Sequence, residues 1–263
     1  MKRSIALVLI VALVVAMSVT VSATDATEGV SGNSQEVLAS YEEGTQDKTV
    51  INVDISWEQM SFTYNGESAP AWNAEEHRYE GEATEAGWAP GNGTITIRNN
   101  SNAVLQAIIS YSQEPAFDDV FMNFTDKEPY VGSAYTDDNM DAEGNVCGTP
   151  CEITIKAIPT GILPKETADN TRIGSITITL NAEVDVYEML DDLAIKIDGC
   201  KIGNDGLSRG TPFLVAGTDA NDIQEMVTAA LETYAADNST ISEKNVAINK
   251  LLTSFYGALD IVQ

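Results

Sequence analysis

The chain has 263 residues, of which 40 are acidic and 14 are basic, so its formal net charge is −26 at pH 7. This excess of negative charge repels phosphates and anionic lipid headgroups, which argues against nucleic acid as a partner. Three cysteines in a chain of this length do not make a disulfide-dependent scaffold, so a hydrophobic core must supply most of the stability.

Residues 1 to 23 have the pattern of a secretory signal peptide. Lys2 and Arg3 precede an apolar run from residue 5 to 17, and Val21 and Ala23 occupy the positions that signal peptidase reads. The run is short for a membrane span, and no second long apolar segment follows. We therefore expect a secreted or cell-surface protein without a membrane span after cleavage. Its mature chain keeps 12 basic and all 40 acidic residues, a charge of −28.

Residues 24 to 48 are rich in Thr, Ser, Gly, Glu and Gln, which predicts a flexible acidic linker. From residue 49 the pattern changes to an alternation in which Val53, Ile55 and Trp57 are separated by polar residues. Runs rich in β-branched and aromatic residues follow at 94–99, 103–111, 120–125, 152–158 and 173–180. This pattern predicts a mainly β chain with an antiparallel, Ig-like β-sandwich over residues 49 to 182.

After residue 182 the apolar period becomes helical and predicts a small C-terminal helical annex over residues 183 to 263. Asp219 or Asn221 can cap the second of three amphipathic helices, and Thr240 with Glu243 forms a capping box for the third. The apolar faces of the helices comprise Val186, Met189, Leu190, Leu193 and Ile197, then Ile223, Met226, Val227, Ala230, Leu231 and Tyr234, and finally Ile248, Leu251, Leu252, Phe255, Tyr256 and Leu259.

Asn-x-Ser/Thr triplets begin at Asn92, Asn99, Asn123 and Asn238, and we expect them to mark surface turns.

Aromatic residues cluster between the first two predicted strands. Trp72, Tyr79 and Trp88 lie there among Gly, Ala and Glu residues, and their rings could stack on sugar faces as a carbohydrate-binding platform. The alternative is structural: Trp72 and Tyr79 would then belong to a hairpin that folds back on the first strand, and Trp88 would close one end of the core.

This region also carries a resemblance. The succession Phe62-Thr63-Tyr64, Trp72-Asn73, Tyr79-Glu80, Gly87-Trp88 and the run from Ile95 to Ala103 resembles a pattern in secreted Ig-like surface proteins of Gram-positive bacteria. The resemblance covers residues 49 to 182 and implies an extracellular β-sandwich. It transfers no catalytic residue.

Oxygen donors alternate at Asp137, Asn139, Asp141 and Glu143, and the first three match the opening of an EF-hand loop. Ala142 then replaces the glycine of that loop. We expect a solvated acidic loop and no cofactor, with calcium as the alternative.

Cys147 and Cys151 flank a Gly-Thr-Pro turn, and the sequence allows either a disulfide between them or two free thiols. Their spacing is a poor zinc motif, because His77 is the single histidine of the chain.

Catalysis has little support in the sequence. A Ser-His-Asp or Cys-His site would have to use His77, which lies in a turn rich in Arg and Glu. We therefore expect no enzyme. The leading interpretation is a noncatalytic cell-surface or extracellular-matrix protein that contacts other surface proteins or self-assembles through its β-sandwich. The alternative is a carbohydrate-binding module that takes polysaccharide through the loop from Trp72 to Trp88.

Overall fold

The structure is a computed structural model that describes residues 19–21, 49–58, 60–134 and 150–263. It is mainly β, with several antiparallel sheets and three helices, as the sequence predicts. The strands, in chain order, are β1 (Val19–Val21), β2 (Val53–Glu58), β3 (Tyr64–Asn65), β4 (Ala71–Asn73), β5 (Arg78–Glu80), β6 (Gly87–Trp88), β7 (Gly93–Asn99), β8 (Leu105–Gln113), β9 (Val120–Phe124), β10 (Tyr130–Val131), β11 (Cys151–Gly161), β12 (Gly174–Asn181), β13 (Pro212–Leu214) and β14 (Leu259–Ile261). The helices are α1 (Val186–Gly199), α2 (Ala220–Ala235) and α3 (Ile241–Ala258).

Two four-stranded sheets hold most of the long strands. One has the order β1-β12-β8-β10 and the other has the order β2-β7-β11-β9, and every pairing in them is antiparallel. In the second sheet Ile97 of β7 lies between Ile55 of β2 and Ile153 of β11. The predicted alternation therefore brings apolar side chains of three strands into register on one face.

The three helices form where the sequence predicts them. Asp185 caps α1, Asp219 caps α2, and Thr240 with Glu243 makes the expected capping box at α3. Their apolar faces, including Leu193 and Phe255, join the buried residues of both large sheets in one contiguous core. Burial of these faces, more than intrinsic helix propensity, holds the helices in place.

A buried polar network fastens the helices to the sheets. The Tyr256 hydroxyl of α3 donates to Asp126 Oδ2 at 3.1 Å and accepts the backbone N–H of Tyr130 at 3.0 Å. Lys196 of α1 lies 2.9 Å from the same carboxylate oxygen. Burial, followed by the nearby Asp126 charge, raises the pKa of Tyr256 well above its ordinary value. The hydroxyl therefore stays protonated and keeps its bond to Asp126.

A second polar network closes the connection between β7 and β8. The side chain of Asn99 is fully buried, and its Nδ2 donates to the carbonyls of Ala103 at 2.9 Å, Val131 at 3.2 Å and Gly132 at 2.9 Å. Its Oδ1 accepts the backbone N–H of Ser101 at 2.8 Å. The expectation that the triplet at Asn99 marks a surface turn is therefore wrong, because this amide satisfies buried backbone groups.

No helix of the described ranges is long and apolar enough to cross a membrane.

Candidate interaction surfaces

The chain between β2 and β7 folds into a two-stranded arm. Strands β3 and β6 pair at its base, Ser68 and Thr84 form a bridge in the middle, and β4 pairs with β5 near the tip. Residues 65 to 86 are exposed apart from Pro70 and Asn73, which are half-buried. We call residues 64 to 88 the β-arm. Residues 65 to 86 therefore contribute contact surface and little core, whereas Tyr64 and Trp88 lie at the base of the arm.

Two aromatic side chains lie exposed near the tip of the β-arm. Trp72 and Tyr79 are directly opposed across β4 and β5, and they are 54% and 70% exposed. Their ring centroids are 5.1 Å apart and their planes meet at 66°, an edge-to-face arrangement. Because the rings are not coplanar, they offer one stacking face at a time. That geometry fits a single sugar ring, or an apolar pocket on a partner, better than an extended flat chain.

Trp88 lies apart from this exposed pair. It is 8% exposed, its Nε1 donates to the carbonyl of Gly161 at 3.0 Å, and its ring meets Tyr64 edge-to-face at 5.0 Å. With Phe117 and Val120 it forms a small core beneath the base of the β-arm. Of the three predicted sugar-binding aromatics, the structure therefore brings Trp72 and Tyr79 together and places Trp88 in the core, where no ligand can stack on it.

His77 occupies the turn at the tip of the β-arm with a positive φ of 50°. Beside it, Arg78 forms ion pairs with Glu76 and Glu80, and all of these side chains are exposed. This arrangement gives the tip mixed charge, which suits a polar rim around the aromatic pair.

The predicted calcium ligands, Asp137, Asn139, Asp141 and Glu143, lie outside the described residues, as does Cys147. Within the described ranges, no group of three or more His, Cys, Asp or Glu side chains could hold a metal ion. Cys151 is described and buried, and burial raises the pKa of its thiol to about 11. Because Cys147 lies outside the described residues, the Cys147–Cys151 bridge stays a prediction.

The outer edge of β12 is a further candidate surface, and sequence patterns did not indicate it. In the structure this edge pairs with β1, whose residues 19–21 lie inside the predicted signal peptide. Strand β12 itself contains no charged residue and no proline between Gly174 and Asn181. Natural edge strands are usually guarded by charges, prolines or short length. The uncharged run was visible in the sequence, but its position at a sheet edge was not.

No protein-family model, curated protein or solved structure matches the chain.

Proposed function

We propose that the chain is a noncatalytic secreted protein of the cell surface or extracellular matrix, and that it makes protein contacts and assembles through an Ig-like β-sandwich. The observation that supports this proposal best is the pairing of β12. Its partner strand β1 lies at residues 19–21, ahead of the predicted cleavage site after Ala23. Removal of the signal peptide therefore takes away the strand that covers this edge.

A vacant edge of this kind favours strand addition. Unpaired N–H and C=O groups along an eight-residue strand are a template for another strand, and main-chain hydrogen bonds then supply the affinity. The high negative charge of the chain keeps copies apart elsewhere on the surface, whereas β12 carries no charge to oppose contact. Contact through this edge fits a structural or adhesive role, which needs no catalytic group.

The test compares chains that differ only at the edge. The chain starting at Thr24 should associate in size-exclusion chromatography with light scattering, whereas the chain starting at Val19 should be monomeric. Val21→Pro in the longer chain is the matched control. It removes a backbone donor from β1 and should restore association. A Thr24 chain that stays monomeric while the Ile176 and Ile178 amides resist hydrogen exchange would contradict the proposal, because the edge would then be covered from within.

A second candidate function rests on the exposed aromatic pair. Trp72 and Tyr79 could hold one sugar ring of a polysaccharide, with the polar groups at the tip of the β-arm as hydrogen-bonding partners. Glycan-array binding that is lost in Trp72→Ala and in Tyr79→Ala, with an unchanged melting temperature, would favour this function. If the protein binds no glycan on the array, the carbohydrate-binding function is wrong.

A further inference from the structure

On the outer face of the sheet that contains β12, strands β8 and β12 carry no charged side chain. No Asp, Glu, Lys or Arg occurs in β12 or in its neighbour β8, although the chain contains 54 charged residues in all, 40 acidic and 14 basic. The side chains of this face are polar and uncharged apart from Ile108. Across the two strands they form the pairs Gln106–Asn181, Ile108–Thr179, Ser110–Thr177 and Ser112–Ser175.

The hydrogen bonds of β8 show which backbone groups of β12 face the open edge. Ala107 N–H and Ile109 N–H of β8 donate to the carbonyls of Pro129 and Lys127, on the side away from β12. The even-numbered residues of β8 therefore direct their N–H and C=O groups toward β12. The residues opposite them, which exchange these hydrogen bonds, are odd-numbered, as in Ser110–Thr177. Consequently the even-numbered residues of β12 direct their N–H and C=O groups outward; these are Gly174, Ile176, Ile178 and Leu180.

We propose that the mature chain forms a two-fold dimer in which β12 pairs antiparallel with β12 of a second copy. This proposal rests on the proposed function and names its partner and register. A two-fold axis between the two Thr177 residues makes Gly174 face Leu180 of the second copy and Ile176 face Ile178. All four outward-facing residues of each copy then exchange hydrogen bonds, two in each pair. An axis through Ile178 would instead place Gly174 opposite Ala182, which lies beyond the end of β12.

Side-chain direction is also preserved in this register. Opposed residues have the same parity, so that Thr177 faces Thr177 on the outer side and the isoleucines stay on the core side. The result is a six-stranded sheet with the order β10-β8-β12-β12-β8-β10. On the outer face, its four central strands, β8-β12-β12-β8, carry no charged side chain.

Charge at the ends of the paired strands does not oppose this partner. The register places Arg172 of one copy opposite Ala182 of the second, next to Glu183, and Arg172 Nε lies 3.0 Å from Glu114 Oε1 of its own chain. In a chain of charge −28, like-charge repulsion disfavours most other modes of self-contact.

Cross-linking at the axis tests the register. In an antiparallel pair, opposed residues that exchange no hydrogen bonds have Cα atoms about 4.5 Å apart, within the range that a disulfide spans. Thr177→Cys in the chain starting at Thr24 should therefore give a covalent dimer on mild oxidation. Thr154→Cys is the matched control, because Thr154 points outward from β11, between β7 and β9. That variant and the parent chain should give no such dimer.

A charge at the axis provides the second measurement. Thr177→Lys places two like charges opposite each other and should raise the dimer dissociation constant about tenfold or more, whereas Thr154→Lys should leave it unchanged. If the parent associates, but Thr177→Cys gives no covalent dimer and Thr177→Lys does not weaken association, this register is wrong while the proposal of assembly stands. A parent that is monomeric, with its β12 amides protected, would overturn both proposals.

Discussion

Replacement of Asn99 by alanine should be among the most destabilising single changes at a polar residue of this chain. The side chain is fully buried and makes four hydrogen bonds to backbone groups. Asn99→Ala leaves the Ser101 N–H and three carbonyl oxygens without this partner. Each buried polar group left without a hydrogen bond costs about 1–3 kcal/mol. Because the carbonyls can recover bonds in part, we expect a total loss of roughly 3 to 5 kcal/mol.

Urea unfolding followed by tryptophan fluorescence measures this loss, and Asn100→Ala is the matched control. Asn100 is adjacent and half-buried, and its side chain donates one bond to Asp54 at 3.1 Å. We expect the control to lose about 1 kcal/mol or less. Equal losses in the two variants would refute the argument, because they would show that the buried bonds of Asn99 contribute no more than one partly exposed bond.

Asn99→Asp separates hydrogen bonding from side-chain volume. The carboxylate has the same shape, but its oxygens would face the carbonyls of Ala103, Val131 and Gly132, so its folded-state pKa should be raised. A raised folded-state pKa contributes stability that is present below the unfolded value of about 3.9 and is lost as pH rises through the folded value. The variant should therefore lose stability between acid and neutral pH relative to the parent.

Three further outcomes are expected. Trp88→Ala should lower the free energy of unfolding by about 3–5 kcal/mol, whereas Trp72→Ala should change it by less than about 0.5 kcal/mol, because only Trp88 is buried; thermal unfolding compares them. Burial raises the pKa of Tyr130 to about 12 and that of Tyr256 well above its ordinary value. The contribution of these hydroxyls to the free energy of unfolding should therefore be fully present below about pH 10 and decrease as pH rises above it. The decrease should be less steep in Tyr256→Phe. Calcium and magnesium at equal ionic strength should raise the melting temperature equally, and a calcium-selective shift lost in Asp137→Ala would instead indicate a metal site.

Local patterns predicted the long strands and the three helices of this protein, but not the short strands β13 and β14 within the expected helical annex. The alternation of Val53, Ile55 and Trp57 predicted a strand, and Thr240 with Glu243 predicted the start of α3, because side-chain direction and end capping depend on neighbours within four residues. The same local logic placed the other long strands and the apolar helix faces, except that Leu259, expected on the face of the third helix, begins β14 instead.

Long-range contacts decided what each element does. Trp72 and Trp88 have the same side chain in similar sequence surroundings, yet only Trp88 reaches Gly161, 73 residues away, and is buried. Asn99 matched a surface triplet, but carbonyls more than 30 residues away enclose it. The edge position of β12 likewise depends on which strands pair with it. Such pairings arise from packing between distant segments, and no periodicity within one segment encodes them.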